Sequence, residues 1–307
     1  MNSLMSMTHP RPRRSFGLHH GKKVYEGYNA ERKVRNRKKK EKKREGYHAF
    51  AREFPTTNTP LPERFTNTIL CGDSLSLLQQ LPNQCIDAII TSPPYNFGLE
   101  YGTHQDTDTW QQYYAQLFAI LKECVRVLAY GGRLMLNVQP LFSDYIPSHH
   151  LISHFLFQQG LIWKGEILWE KNNYNCKYTA WGSWQSPSSP YLKYTWEFIE
   201  VFCKGALKKD GNKNAIDITA DEFKAWVNAK WSIAPERDMH TYNHPAMFPK
   251  KLVERLLKLF TYQQDVVLDP FNGAGTTTLV AYQQHRRYLG IDIDAGYCAT
   301  ARERLKI

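Results

Sequence analysis

The stretch Asp269-Pro270-Phe271-Asn272-Gly273-Ala274-Gly275-Thr276-Thr277 decides the fold. It follows the apolar run 266–268, typical of a buried strand, and precedes a stretch typical of a helix. Two glycines in such a turn let the backbone approach a ligand closely where the helix begins. Asp292 ends the next predicted strand, where an acid can bind ribose hydroxyls. The pattern predicts a site for an adenosine-bearing cofactor, and the missing third glycine of G-x-G-x-x-G favours S-adenosylmethionine (SAM) over a dinucleotide.

Around this stretch, strand-like runs alternate with helix-length amphipathic segments from about Phe65 onward. The predicted strands are 68–73, 86–91, 133–138, 162–169, 198–202, 266–269 and 288–292. The predicted helices are 110–128 (stopped by Tyr130-Gly131-Gly132), 151–158, 221–231, 249–261, 276–284 and a last one ending at Leu305. Such alternation predicts an α/β fold with a mostly parallel, doubly wound sheet that helices cover on both faces.

A second motif, Thr91-Ser92-Pro93-Pro94-Tyr95-Asn96, directly follows the strand predicted at 86–91. Two successive prolines fix φ and restrict the residue before them, so the backbone is rigid and its carbonyls point in set directions. A rigid carbonyl beside the Ser92 hydroxyl offers two acceptors to an NH₂ group, and Tyr95 offers a ring face to a planar base. Because the carboxyl ends of parallel strands share one edge, we expect Ser92 and Gly273 to open on the same edge of the sheet.

The formal net charge of +11 lies entirely in the first 46 residues, which hold 15 Lys and Arg against 4 Asp and Glu. The basic block peaks between Arg35 and Arg44 and cannot bury apolar surface, so we expect it to be disordered, or a lone helix, until it meets a polyanion. Neutralised phosphates release counterions, which predicts a sequence-independent contribution to nucleic-acid binding. A solubilising tail or a processing remnant is the alternative.

Several classes of protein are excluded or disfavoured by composition. No apolar run approaches the roughly 20 residues of a membrane helix, and no apolar stretch follows the basic N-terminus as in a secretory signal. The six cysteines are scattered without a C-x-x-C pair, which disfavours a metal or redox site and favours reduced thiols. We therefore expect a cytoplasmic protein with no metal and no membrane partner.

Together the two motifs resemble those of the amino-group DNA methyltransferases, whose target motif has the form (S/D/N)PP(Y/F) and whose SAM loop resembles DPFxGxGTT. The target motif comes first here, as in the family's permuted β-type members. The likeness runs from about Asn67 to Leu305. Further matching stretches are 71–73, 128–133, Trp169-Glu170-Lys171 and 244–249.

This resemblance implies SAM as the cofactor and the fold of class I SAM-dependent methyltransferases. The cofactor residues that it implies are Asp73, Phe248, Asp269, Phe271, Gly273, Gly275, Thr276 and Asp292. Asp269 would lie near the amino-acid end of SAM, Asp292 would bind the ribose hydroxyls, and Asp73 would bind the adenine amino group. Phe248 and its neighbours would close the pocket.

At the target base, the resemblance implies that Ser92 and the Pro93 carbonyl accept hydrogen bonds from the amine, with Pro94 and Tyr95 completing the catalytic motif. Tyr95 would stack on a base flipped out of the duplex. The serine form SPPY, and the similarity of the 179–184 and 231–236 stretches to cytosine-N4 members, imply methylation of cytosine N4. N6 of adenine is the alternative. Cytosine-C5 methyltransferases resemble one another in a Pro-Cys nucleophile, and no proline here precedes a cysteine.

The predicted organisation is a basic tail at 1–46 and a methyltransferase domain at 47–307. Within the domain we expect a target-base half at about 65–204, a short recognition insert at about 172–240 and a SAM-binding half at about 241–307. The expected substrate is double-stranded DNA, and the resemblance to this family implies a cognate restriction endonuclease as a functional partner. An RNA methyltransferase is a less favoured alternative. A non-catalytic nucleic-acid-binding protein is also less favoured, because it would not explain an intact cofactor loop beside the two acceptors for an amine.

Overall fold

The structure is a computed structural model of the 307-residue chain, which divides into the units Met1–Ala49 and Phe50–Ile307. It describes residues 53–94, 109–139, 145–172, 181–192, 194–237, 239, 242 and 247–306, and the backbone alone of the short strands at 15–19, 22–25, 100–101 and 104–105. In the first unit, Ser15–His19 pairs antiparallel with Lys22–Tyr25, two strands that we did not predict. The basic block at 35–44 lies outside the described residues, so the absence of a fixed fold there stays a prediction.

The second unit contains an eight-stranded sheet. Its strands are β1 (Thr68–Cys71), β2 (Ile86–Thr91), β3 (Leu128–Val138), β4 (Ile162–Glu170), β5 (Trp196–Cys203), β6 (Lys230–Ser232), β7 (Val266–Asp269) and β8 (Arg287–Asp292). Their order in the sheet is β6-β4-β5-β3-β2-β7-β8-β1. β5 runs antiparallel to its neighbours β3 and β4, and the other pairings of this sheet are parallel. The predicted mostly parallel sheet is confirmed.

Helices cover both faces of the sheet. They are α1 (Ser74–Leu78), α2 (Trp110–Val127), α3 (Ser148–Gln158), α4 (Ala220–Trp226), α5 (Lys250–Phe260), α6 (Thr276–Gln283) and α7 (Ala295–Leu305). Successive residues of β7 point to opposite faces of the sheet. Leu268 therefore packs in the core under α1 to α3, whereas Val267 packs in the core under α5 to α7. This arrangement is doubly wound, as predicted.

The largest errors in the predicted element boundaries are those of β3 and α4. Helix α2 ends at Val127, and β3 begins at the next residue, Leu128. The residues Tyr130-Gly131-Gly132 therefore lie within β3 and do not form the turn that we predicted after the helix. Gly132 allows close packing there, because a Cβ at this position would lie 2.8 Å from the Ala129 carbonyl oxygen. The helix predicted at 221–231 ends at Trp226, and Trp231 lies in β6, where its buried indole Nε1 donates to the Trp226 carbonyl over 3.0 Å.

Candidate active site

The two motifs meet at the carboxyl edge of the sheet because β2 and β7 are adjacent parallel strands. Thr91, the last residue of β2, donates its hydroxyl proton to Oδ1 of Asp269, the last residue of β7, over 2.6 Å. Both residues are buried. Although 178 positions separate these two residues in the chain, this hydrogen bond holds the two predicted motifs side by side.

A cavity of about 380 Å³ opens at this edge. The predicted residues that line it are Asp73, Ser92, Pro93, Pro94, Phe248, Asp269, Phe271, Gly273, Thr276 and Asp292. The structure therefore places Ser92 and Gly273 on one cavity at one edge, as expected. Tyr95 lies outside the described residues.

Gly275 is not among the residues that line the cavity, and the structure shows a conformational role for it. Its φ of +80° lies in the left-handed region that favours glycine, and it is the N-cap residue of α6. A Cβ at this position would lie 2.7 Å from the Cβ of Ala301 in α7. Gly275 thus permits the turn and the close packing of α6 on α7, and the neighbouring Ala274 lines the cavity instead.

Asp292 connects the two loops that follow β7 and β8. Its Oδ2 accepts from the amide of Gly273 over 2.6 Å, and its Oδ1 accepts from the amide of Asp294 over 3.0 Å. Burial raises the pKa of this carboxyl above its ordinary value, while the two amides oppose the rise. The Asp292 carboxylate therefore lines the cavity and also holds the glycine-rich loop in place through the Gly273 amide.

Asp269 is 2% exposed and accepts from the Phe271 amide over 3.1 Å as well as from Thr91. Burial raises its pKa to about 6, against opposing hydrogen bonds from Thr91, Thr277 and Phe271. A buried carboxylate that faces a cavity favours a cationic ligand, because a nearby positive charge offsets the cost of its ionisation.

Asp73 is an exposed residue at the start of α1. Its Oδ2 accepts from the amide of Ser76 over 2.8 Å and from the Ser76 hydroxyl over 2.6 Å, so the side chain caps the helix. The next residue, Ser74, is buried and donates its hydroxyl proton to the carbonyl of Pro270 over 2.6 Å. These bonds tie α1 to the glycine-rich loop and leave Asp73 on the cavity wall.

The Ser92-Pro93-Pro94 segment is fixed by two bonds that the sequence did not predict. The Ser92 hydroxyl donates to the carbonyl of Asn137 at the end of β3 over 3.2 Å. The hydroxyl of Tyr113 in α2 donates to the carbonyl of Pro94 over 2.6 Å. With its proton directed to Asn137, the Ser92 hydroxyl can interact with other groups only as an acceptor.

Sequence reasoning missed a buried polar group on the same cavity. Glu197 in β5 accepts from the side-chain amide of Asn137 over 2.5 Å and pairs with the ammonium of Lys171. The stretch Trp169-Glu170-Lys171 contributed to the resemblance without a role being assigned to it. A charged residue within the mostly apolar strand β5 was the available signal for Glu197.

The predicted recognition insert lies at both edges of the sheet. Trp181 and Trp184, which are 54% and 64% exposed, form an edge-to-face pair in the β4–β5 connection on the carboxyl edge. By contrast, Lys209 pairs with Asp87 and Asp265 at the amino-terminal ends of β2 and β7. Thus the segment around Lys209, which belongs to the recognition insert predicted at about 172–240, lies at the edge opposite Ser92. Lys193, which also belongs to the predicted insert, lies outside the described residues.

A larger cavity of about 680 Å³ lies between α5 and strands β4 and β5, with Phe223, Trp226 and Phe260 in its wall. It contains none of the predicted site residues. The described residues hold no group of three or more His, Cys, Asp or Glu side chains placed to bind a metal ion. In the same part of the chain, no helix has the length and apolar character needed to cross a bilayer.

Comparison with known sequences finds a family and several related proteins. The family model for N6/N4 DNA methylases matches residues 86–303. The Type II methyltransferase M.MjaVI of Methanocaldococcus jannaschii is 34% identical over 178 residues, with 55% of this chain and 86% of that protein covered. The DNA adenine methyltransferase YhdJ of Escherichia coli is 28% identical over 264 residues, with 80% and 86% covered.

Two solved structures share the fold. TTHA0409 of Thermus thermophilus, assigned as a DNA modification methylase and solved with SAM, aligns with a TM-score of 0.62 and 26% identity over 78% of this chain and 94% of its own. The PvuII cytosine-N4-specific DNA methyltransferase aligns with a TM-score of 0.58 and 18% identity over 77% of this chain and 85% of its own.

The cavity fits SAM by the chemistry of its wall. Three carboxylates suit a ligand that carries an ammonium, ribose hydroxyls and an adenine amino group, and two aromatic rings suit a planar base. The carboxylates belong to Asp73, Asp269 and Asp292, and the rings to Phe248 and Phe271. With these groups beside the Ser92-Pro93-Pro94 turn, and with the family match across 86–303, the chain belongs to the SAM-dependent N6/N4 DNA methylases, which methylate exocyclic amines of DNA bases.

Proposed function

We propose that this protein transfers a methyl group from SAM to the N4 amine of cytosine in double-stranded DNA, as the modification enzyme of a restriction–modification system. The observation that carries the proposal is the orientation of Ser92. Its hydroxyl proton is directed to Asn137, so the oxygen is an acceptor on the wall of the cavity that also holds the acidic cofactor groups. An acceptor at this place suits an NH₂ group as the substrate.

The cofactor would be held by the glycine-rich half of the cavity. Asp292 would accept from the ribose hydroxyls, Asp269 would attract the amino-acid end, and Asp73 would accept from the adenine amine. The other contacts that we propose are Phe248, Phe271, Gly273 and Thr276, with Gly275 acting through the turn rather than by contact. When bound, SAM supplies an electrophilic methyl group on its sulfonium.

Ser92 and the Pro93 carbonyl would activate the target amine. The amine lone pair is delocalised into the heterocycle, so an exocyclic amine is a poor nucleophile. Acceptance of both N–H protons favours the pyramidal geometry that frees this lone pair, and the two oxygens stabilise the positive charge that develops on nitrogen. Tyr113 supports this geometry because it fixes the Pro94 carbonyl. Tyr95 would stack on the flipped base and replace part of the lost stacking.

The serine of SPPY and the 179–184 stretch support cytosine over adenine, by family analogy. Adenine N6 is the second candidate, and a specific observation favours it: the 28% identical relative YhdJ is named as a DNA adenine methyltransferase. Type II names among the relatives support a restriction–modification role, with a cognate endonuclease as a functional partner. A DNA substrate accords with the predicted cytoplasmic location.

Nucleoside analysis tests this proposal directly. Double-stranded DNA is incubated with the full chain and SAM, digested to nucleosides and separated with mass detection, with an RNA of mixed sequence in parallel. We expect N4-methylcytosine in DNA, at one short sequence once the modified positions are mapped. N6-methyladenine would assign the second candidate, methylation of RNA alone would contradict a DNA substrate, and no transfer to either would leave a non-catalytic binding protein.

A further inference from the structure

Lys171 brings a positive charge to the half of the cavity that Ser92 and Pro93 line. It follows the last residue of β4, and its backbone amide donates to the Thr195 carbonyl over 2.9 Å. Its ammonium lies 5.4 Å from the ring centre of Trp169, another cavity residue. Among the described residues Glu197 is the polar partner of this ammonium, whose side chain is 31% exposed.

A short chain of polar contacts links Lys171 to Ser92. Glu197, which is 4% exposed, pairs with Lys171 through one carboxylate oxygen and accepts from the Asn137 side chain through the other. The Asn137 carbonyl in turn accepts from Ser92. A buried carboxylate needs a partner, so Glu197 holds the ammonium at the cavity wall. The pair is neutral overall, which limits the repulsion between Lys171 and the positive charge that develops on the amine.

An ammonium has three N–H donors, and the ion pair with Glu197 occupies one direction. We propose that Lys171 donates a hydrogen bond to the ring nitrogen next to the target amine, N3 of cytosine or N1 of adenine. This inference rests on the proposed function, because it assumes that a base enters the cavity. Ser92 and the Pro93 carbonyl then accept from the amine while Lys171 donates to its neighbour. Thymine, which carries a carbonyl and an N–H at these positions, is rejected on both counts.

Removal of the acceptor atom tests the proposal. Duplexes with the mapped recognition sequence carry either the natural target base or its analogue with C–H in place of the ring nitrogen, 3-deazacytosine or 1-deazaadenine. The wild-type protein and Lys171→Met are compared on both duplexes by kcat/KM for DNA. Lys230→Met is the matched control, because Lys230 pairs with Glu170 on the neighbouring strand and does not line the cavity.

We expect Lys171→Met to lower kcat/KM on natural DNA by about 10- to 100-fold, the range for a lost hydrogen bond to a charged group. The wild type should lose a similar factor on the deaza duplex, and Lys171→Met should lose little more there, because the bond is already absent. Lys171→Arg, which keeps a charged donor, should recover part of the loss. SAM affinity and the Lys230→Met rates should stay near the wild-type values.

Two results would overturn the inference while the proposed function stands. One is equal wild-type rates on natural and deaza duplexes, which needs no folded variant. The other is that Lys171→Met and the deaza base lower kcat/KM independently, so that their two factors multiply when they are combined. This result is expected if the ion pair of Lys171 is purely structural. If the wild type transfers no methyl group to natural DNA, the proposed function fails first, and the inference fails with it.

Discussion

The amide of Gly273 donates to Oδ2 of Asp292 over 2.6 Å, so the carboxylate at the end of β8 holds the loop that follows β7. The sequence suggested Asp292 only as a ligand of ribose hydroxyls. In the structure the same carboxylate also shapes the loop against which the cofactor would lie. Binding of SAM and ordering of this loop are therefore expected to depend on one side chain.

Asp292→Ala should mainly weaken SAM binding. The substitution removes a charged acceptor for the ribose hydroxyls and for the Gly273 amide, and it acts in both ground and transition states. Much of the turnover should return at saturating SAM. Calorimetric SAM titration and tritiated-methyl transfer measure the two effects. Asp292→Asn, which keeps one acceptor oxygen, should lose less affinity, and a normal SAM affinity in Asp292→Ala would contradict the assignment.

Ser92→Ala should lower turnover with little change in SAM affinity. It removes one acceptor for the amine, and the loss of a transition-state hydrogen bond of this kind costs on the order of 2–4 kcal/mol. Methyl-transfer kinetics with SAM titrated against this variant separate turnover from the Michaelis constant. Asp292→Ala is the contrasting control. If Ser92→Ala chiefly raised the Michaelis constant for SAM, the Ser92-Pro93-Pro94 segment would belong to the cofactor rather than the target base.

SAM affinity should fall as pH drops through about 6, the pKa to which burial raises Asp269. The ionised carboxylate favours a cationic ligand, and protonation removes that attraction. The stability of the unliganded protein should depend on pH in the opposite direction. The pKa of Asp269 is about 6 in the folded state and 3.8 ordinarily, so its contribution to the free energy of unfolding should fall as pH rises from about 3.8 to about 6. Titration calorimetry and thermal unfolding across this range test both. Asp269→Asn should remove this part of each pH dependence.

Deletion of residues 1–46 should weaken DNA binding and flatten its dependence on salt, while SAM affinity stays nearly unchanged. The tail holds 15 basic residues, and each phosphate that it neutralises contributes to the slope of affinity against salt. Binding of a labelled duplex at several salt concentrations measures the slope. A full-length variant with Lys38, Lys39 and Lys40 changed to Gln is the matched control and should show a smaller effect. An unchanged slope would give the tail another purpose.

Gly275→Ala should destabilise the fold more than it affects the chemistry. A left-handed φ costs a non-glycine residue on the order of 1–3 kcal/mol, and the new Cβ would lie 2.7 Å from that of Ala301. Chemical unfolding measures the loss. Adding Ala301→Gly should relieve the overlap and recover part of the stability. If Gly275→Ala kept its stability but lost SAM binding, Gly275 would contact the cofactor directly, as first predicted.

The sequence predicted the strands and helices that depend on residues close together in the chain. The strand 266–269, the turn after it and the helix that follows were predicted correctly, because apolar runs and turn residues are recognised over a few positions. Glu197 and Asn137 escaped prediction, because their contact depends on the pairing of β3 with β5 across 60 positions of the chain. Gly275 matched the family motif, yet its role depends on the distant Ala301, which no local pattern indicates.

The position of β1 has a consequence for synthesis. β1 is the first strand of the eight-stranded sheet in the chain, and it lies at the sheet's edge beside β8, which is the last strand of that sheet in the chain. On the ribosome, residues 68–71 are therefore synthesised more than 200 positions before their partner at 289–292. Closure of so long a loop is slow compared with local folding. A nascent chain that ends before β8 lacks both this pairing and Asp292, so we expect SAM affinity to be acquired only after β8 has been synthesised.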